Sequence, residues 1–163
     1  MKVVILERNS VGTDISIDEI MHFGETDVYE NTVTAEEVGE RIREADIVIS
    51  NKAPLNESNL KDAPNVKLIC EFATGFDNVD IAYCKSRGIS VANVVNYSTD
   101  SVAQHTFALA LYLLEHLNHY DHYVKDGEYG AQSRFSNFDL AFPELTGKTW
   151  GIIGMGNIGR KVA

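Results

Sequence analysis

The spacing with most chemical content lies in Thr149–Ala163, TWGIIGMGNIGRKVA, where Gly154, Gly156 and Gly159 form G-x-G-x-x-G and Ala163 follows four residues later. In a dinucleotide-binding turn the first glycine permits a tight reversal and the second lets backbone approach a pyrophosphate. The third lets the following helix pack closely on the preceding strand. The free N–H groups and positive dipole end of that helix then face the phosphates. Plain glycine-rich loops share the spacing. The apolar run Thr149 to Ile153, which suits a buried strand, and the small Ala163 favour the cofactor turn. The acidic residue expected about 20 residues further on, which would hold a ribose, is not in the sequence. The chain therefore reads as the front half of a larger protein.

Two further stretches could hold an anion. Asn51-Lys52-Ala53-Pro54 and Ala73-Thr74-Gly75-Phe76-Asp77 each follow an apolar run that reads as a strand. In open α/β sheets ligands bind at the carboxyl ends of parallel strands. Small residues such as Ala53, Ala73 and Gly75 leave backbone N–H groups accessible, which suits a carboxylate; the plainer reading is a pair of short turns. His116, His119 and His122 recur every three residues, drift around a helix, and have neither H-E-x-x-H nor accompanying cysteines, so they read as exposed helix histidines, as does His105. His22 is isolated. No G-x-S-x-G occurs. Glu36-Glu37 sits at a helix start, where the dipole favours acids. Cys70 and Cys84 lack metal or disulfide spacing and read as reduced thiols of a cytoplasmic protein.

The elements that must position these groups follow from periodicity. Lys2–Leu6, Thr26–Glu30, Asp46–Ser50, Val66–Phe72 and Ile89–Val94 read as strands. Between them, helices are expected over Ser16–Phe23, from Thr34 to about Ala45, over Asn56–Asp62, and from Asn78 or Asp80 through Lys85 with Gly88 as the stop. Strand and helix alternate, which predicts right-handed βαβ units and a parallel sheet over about 95 residues. From Ser98 the pattern changes to one helix of about 25 residues, apolar nearly all round and so in need of more than one neighbour. Lys125–Pro143 has no clear element. An apolar strand at Thr149–Ile153 with no parallel neighbours is expected not to be stable alone.

With 163 residues and a net charge of −10, the chain is long enough for a good core, and its charge argues against nonspecific binding to nucleic acid or an anionic membrane surface. No apolar run approaches the ~20 residues that span a bilayer, and KVVIL followed by Glu7 and Arg8 does not read as a signal peptide.

Three segments carry a resemblance: ATGFDNVD at 73–80, GISVANVVNYSTDSVAQHT at 88–106 and LTGKTWGIIGMGNIGRKVA at 145–163. Their order and spacing resemble the D-isomer-specific 2-hydroxyacid dehydrogenases, the family of D-lactate, glycerate and phosphoglycerate dehydrogenases. Residues 1–66 add a compatible pattern without a sharp motif. The resemblance implies an α/β fold in which a flavodoxin-like outer domain, residues 1–97, lacks its C-terminal return. Residues 98–163 would then supply a linker helix, an arm and the first strand-turn-helix of a Rossmann NAD-binding domain.

For function, the resemblance implies interconversion of 2-keto acids and D-2-hydroxy acids with NAD, or NADP. The substrate carboxylate would lie on the backbone of Ala73, Thr74 and Gly75, with Lys52 and Ala53 nearby. Tyr97 matches a position where some members carry an active-site tyrosine. The pyrophosphate would meet Gly154, Gly156, Asn157, Ile158 and Gly159. Gln104 and Asn96 depart from the Glu and Gly common at those positions. The family's catalytic arginine, glutamate and histidine would lie beyond Ala163, so no residue here takes those roles, and these 163 residues alone are expected to be inactive and to bind NADH weakly. A homodimer formed through the long helix and the 125–143 arm is also implied. The alternatives are a corepressor-like protein that senses dinucleotide and a noncatalytic interaction module.

Overall fold

Short β-branched runs build the first part of the chain, because alternate side chains of each run can enter opposite layers. In the computed structural model, which describes residues 1–163, the chain divides into two units, Met1–Val95 and Asn96–Ala163. The first contains β1 (Lys2–Ile5), α1 (Asp18–Met21), β2 (Glu25–Val28), α2 (Ala35–Ile42) and β3 (Ile47–Ser50). It continues with α3 (Glu57–Leu60), β4 (Leu68–Glu71), α4 (Ile81–Arg87) and β5 (Ser90–Ala92). All strands pair in parallel in the order β2-β1-β3-β4-β5, with Val3 opposite Thr26 on one side and Ile47 on the other. This is the flavodoxin-like order of doubly wound sheets.

The two faces are unequally covered. Val4, Leu6, Val48 and Ile69 pack with Val38 and Ile42 of α2, Leu60 of α3 and Cys84 of α4, all buried. Across the sheet, Val3, Ile5 and Ile49 meet only half-buried neighbours, Ile17, Ile20, Ile47, Cys70 and Phe72. The expected helix signals operate as read. Thr34 Oγ1 accepts from Glu37 N–H while Thr34 N–H donates to Glu37 Oε2, both at 3.2 Å, which closes a capping box on α2. Asp80 caps α4, and Gly88 ends it at φ 71°, where a side chain would be strained.

The second unit is helical: α5 (Thr99–Leu114), α6 (Leu117–Lys125), α7 (Glu128–Ala131) and α8 (Asn157–Val162). Two expectations are corrected here. The single helix from Ser98 is two, broken at His116, whose backbone is left-handed at φ 53°. The 125–143 connection contains the one-turn helix α7. Thr149–Ile153 forms no strand, as expected of this run without parallel neighbours, and Ile153 is fully exposed. A strand needs a partner for its N–H and C=O groups, and this unit has no other strand to supply one. β5 is also shorter than the run Ile89–Val94, because only Ser90–Ala92 lie opposite β4.

Candidate functional site

At the carboxyl edge of the sheet, β1 runs through Leu6 into Glu7, and the Glu7 carboxylate lies under the loop that leaves β3. Glu7 Oε2 accepts from the N–H groups of Asn51 (2.7 Å), Lys52 (2.8 Å) and Ala53 (2.9 Å), and from Ser50 Oγ (3.1 Å). Consecutive amides turned toward one point form an anion-binding nest, and here an internal side chain occupies it. The expectation that Ala53 leaves its N–H open is therefore corrected: Ala53 is buried and its N–H is taken. Lys52 keeps an exposed side chain above the loop.

The loop after β4 is different. Thr74, Gly75, Phe76 and Asp77 are exposed, and the N–H groups of Thr74, Gly75 and Phe76 have no acceptor within the protein. The loop is braced from behind by the chain after β5. Val94 N–H donates to Ala73 O (2.9 Å), Thr74 Oγ1 to Val94 O (2.8 Å) and Asn93 Nδ2 to Thr74 O (2.7 Å). Open amides on a braced loop at this edge suit a small carboxylate.

Asn78 ties the two loops together. Its Nδ2 donates to Ala53 O (3.0 Å) and reaches Glu71 Oε1 (3.2 Å), while its carbonyl accepts from Leu55 N–H (2.9 Å). Glu71 ends β4 with 2% of its surface exposed. Burial pushes its carboxyl up to about 7; Asn78 pulls it back, the nearby charge of Glu7 pushes it further, and Lys52 opposes that. A carboxyl so placed changes charge in the physiological range, unlike an ordinary Glu near 4.3.

In the second unit the three glycines divide the work as their spacing implies. Gly154 turns at φ 95°, and a Cβ on Gly159 would lie 2.0 Å from Gly154 O, so the third glycine is required by the close approach of α8. Gly156 caps α8 with open space where a Cβ would stand. The N–H groups of Asn157, Ile158 and Gly159, in the first turn of α8, have no acceptor inside the protein. The amides and open space at this turn fit a pyrophosphate. Asn157 Nδ2 donates to Oδ1 of Asn96 (2.6 Å), which itself is left-handed at φ 64°, and Lys161 pairs with Asp100 (2.8 Å). Tyr97 is 65% exposed. Among the histidines, His119 stacks on Tyr123 with centroids 6.2 Å apart, and His122 Nδ1 bonds Asn118 O (2.8 Å).

Comparison with known proteins agrees with this architecture. Residues 3–150 match the catalytic domain of D-isomer specific 2-hydroxyacid dehydrogenases. The chain belongs to that family. It is 38% identical to a glycerate dehydrogenase of Methylorubrum extorquens over 99% of its own length and 51% of the relative's. A hydroxypyruvate reductase of Blautia hydrogenotrophica is 36% identical over 98% of this chain and 51% of its own. The D-lactate dehydrogenase of Aquifex aeolicus, solved with NAD and lactic acid, superposes with a TM-score of 0.78 at 28% identity, over 99% of this chain and 46% of that one. The chain thus spans about half the length of the relatives it matches.

In this member of the family, three groups at the sheet edge escape a reading by motif: Glu7, Glu71 and Asn78. Glu7 and Glu71 each follow a short, mainly apolar run, KVVIL and LIC, and a carboxylate closing such a run is the one signal available. Asn78 lies inside ATGFDNVD but offers no spacing that would mark it as a clamp.

Proposed function

We propose that the protein carrying this chain is a nicotinamide-dependent oxidoreductase that interconverts small 2-keto acids with D-2-hydroxy acids. The observation that carries this reading is the family match over residues 3–150. The open amides of Thr74 and Gly75 would hold the substrate carboxylate, with the backbone of Ala73 bracing them and the Lys52 ammonium adding charge against the chain's overall negative field. Tyr97 would line the substrate side. Gly154, Gly156, Asn157, Ile158 and Gly159 would hold the pyrophosphate of NAD or NADP through the first turn of α8. The bound nicotinamide supplies hydride chemistry; these residues contribute binding and orientation. Substrates of the kind named for the relatives, glycerate and hydroxypyruvate, have the single carboxylate this loop fits.

The domain reading, an outer domain to about residue 97 followed by the opening of a cofactor domain, belongs to the same proposal, as do a cytoplasmic location and a homodimer. No helix is long and apolar enough to cross a membrane. These 163 residues alone are proposed to be inactive and to bind NADH only weakly, since the family resemblance assigns the catalytic arginine, glutamate and histidine to the half not spanned here, and α8 has 6 residues, fewer than the ~12–15 at which isolated helices become marginal.

The test is NADH oxidation with pyruvate, hydroxypyruvate and glyoxylate by the longer protein, beside calorimetric NADH titration of the 163-residue chain. Turnover by the former and none by the latter is expected. NADH binding by the longer protein without turnover of any 2-keto acid would replace the enzyme reading with that of a dinucleotide-sensing binding protein.

A further inference from the structure

We infer that the buried carboxylates Glu7 and Glu71 are positioning residues for the Asn51–Ala53 loop, so that this loop offers an anion the Lys52 side chain and not its backbone. The inference rests on the proposed 2-keto acid site at the same sheet edge. Three consecutive amides, of Asn51, Lys52 and Ala53, point at Glu7 Oε2 within 2.7–2.9 Å, and Glu7 Oε1 takes a second, longer bond from Lys52 N–H (3.1 Å). Charge-assisted bonds of this kind are stronger than neutral ones, and a buried nest without its anion would leave several N–H groups unpaired. An incoming carboxylate would have to displace Glu7 to use them. The loop's only remaining group of the right sign is the Lys52 ammonium.

Glu71 fixes the other end of the arrangement. Asn78 Nδ2 lies between Glu71 and Ala53 O, so the Ala53 peptide is held on its N–H side by Glu7 and on its C=O side by the Glu71–Asn78 pair. The charged groups facing Glu71 are Glu7, at the end of β1, and Lys52, in the loop after β3; Cys70, before it in β4, is a thiol pushed up first by burial and then by Glu71. When Glu71 is protonated, Lys52 is free for a substrate carboxylate. When Glu71 ionises, the sheet edge beside the loop carries an added negative charge, which opposes an incoming carboxylate and offsets the Lys52 ammonium. Substrate binding therefore weakens as pH rises past neutrality.

The test has two arms. In the 163-residue chain, amide hydrogen exchange at Asn51, Lys52 and Ala53 is measured for the wild type, Glu7→Gln and Glu7→Asp. Slow exchange in the wild type, loss of protection confined to these amides in Glu7→Gln, and intermediate protection in Glu7→Asp are expected. Unchanged protection in Glu7→Gln would overturn the inference, and if that variant does not fold, native protection of all three amides in Glu7→Asp would do so. In the longer protein, Glu7→Gln should raise KM for hydroxypyruvate roughly tenfold with kcat and the KM for NADH within about threefold of wild type. The wild-type KM should rise above neutral pH, and Glu71→Gln should abolish that rise. A pH profile unchanged in Glu71→Gln would remove the role of Glu71. Absence of any 2-keto acid activity in the wild type would instead defeat the proposed function, leaving the exchange arm to decide the positioning role.

Discussion

A carboxyl held up to about 7 in the folded chain affects stability as well as binding. The unfolded chain loses this proton near 4.3. Between that value and about 7 the native state therefore holds the extra proton. The contribution of Glu71 to stability is full below the unfolded value and is lost as pH rises through the folded one. Replacing Glu71 with Gln removes the titration, so urea-denaturation curves of wild type and Glu71→Gln should converge at low pH and separate toward pH 8. The variant should be the more stable there, and parallel curves across the range would contradict the assignment. The opposite sign is expected at Gly159→Ala. A Cβ there would lie 2.0 Å from backbone oxygen of Gly154, so the turn must open. The expected cost is about 1–3 kcal/mol, read as a lower denaturation midpoint, together with weaker dinucleotide binding by the longer protein. Motif reading found Gly159 because the close approach is encoded in spacing. It missed Glu71 because a buried acid is defined by partners that no spacing marks: Glu7, distant in sequence and brought to the same edge by the parallel register, and Asn78, in the loop after β4.

Among the elements, α2 and the α5–α6 break mark the limits of local reading. The start of α2 was legible because Thr34 and Glu37 satisfy each other's backbone groups within one turn. Thr34→Ala should cost about 1 kcal/mol by thermal or urea denaturation. The break after Leu114 was not legible. The stretch YLLEHLNHY contains no Gly or Pro, and its apolar residues continue helical spacing past the break. His116 adopts φ 53° and ψ 38°, a conformation that costs a non-glycine residue roughly 1–2 kcal/mol. His116→Gly should therefore raise the melting temperature of the second unit, unlike most glycine substitutions in helical sequence. A lower melting temperature would mean that the histidine ring makes contacts worth more than the backbone strain. The apolar run at Thr149–Ile153 behaves as expected of it alone and forms no strand, because hydrophobic pattern specifies a strand only where a neighbour exists to pair with it.

At the scale of the molecule, the first unit buries a continuous hydrophobic core, whereas the second leaves most of its apolar side chains in water. The sheet unit was legible as a whole because alternating strand and helix patterns leave few parallel topologies. The second unit consists of helices whose apolar surface exceeds what they bury. α5 is 16 residues long and strongly apolar, yet Ala103 is its only buried residue. Leu109 and Leu113 are 50% and 70% exposed, with Phe107 and Tyr112 also open. Each apolar Å² left in water forgoes about 25 cal/mol, so a second copy laid against this face gains free energy without new chemistry. An isologous pairing about a two-fold axis closes the assembly and leaves no further face to propagate. Sedimentation of the 163-residue chain at high micromolar concentration should therefore give a dimer. Leu113→Lys should shift it to monomer while leaving the far-ultraviolet circular dichroism of the sheet unit unchanged, because Leu113 packs little within its own chain. A wild-type monomer at that concentration, or a Leu113→Lys dimer, would show that the α5 face does not carry the association.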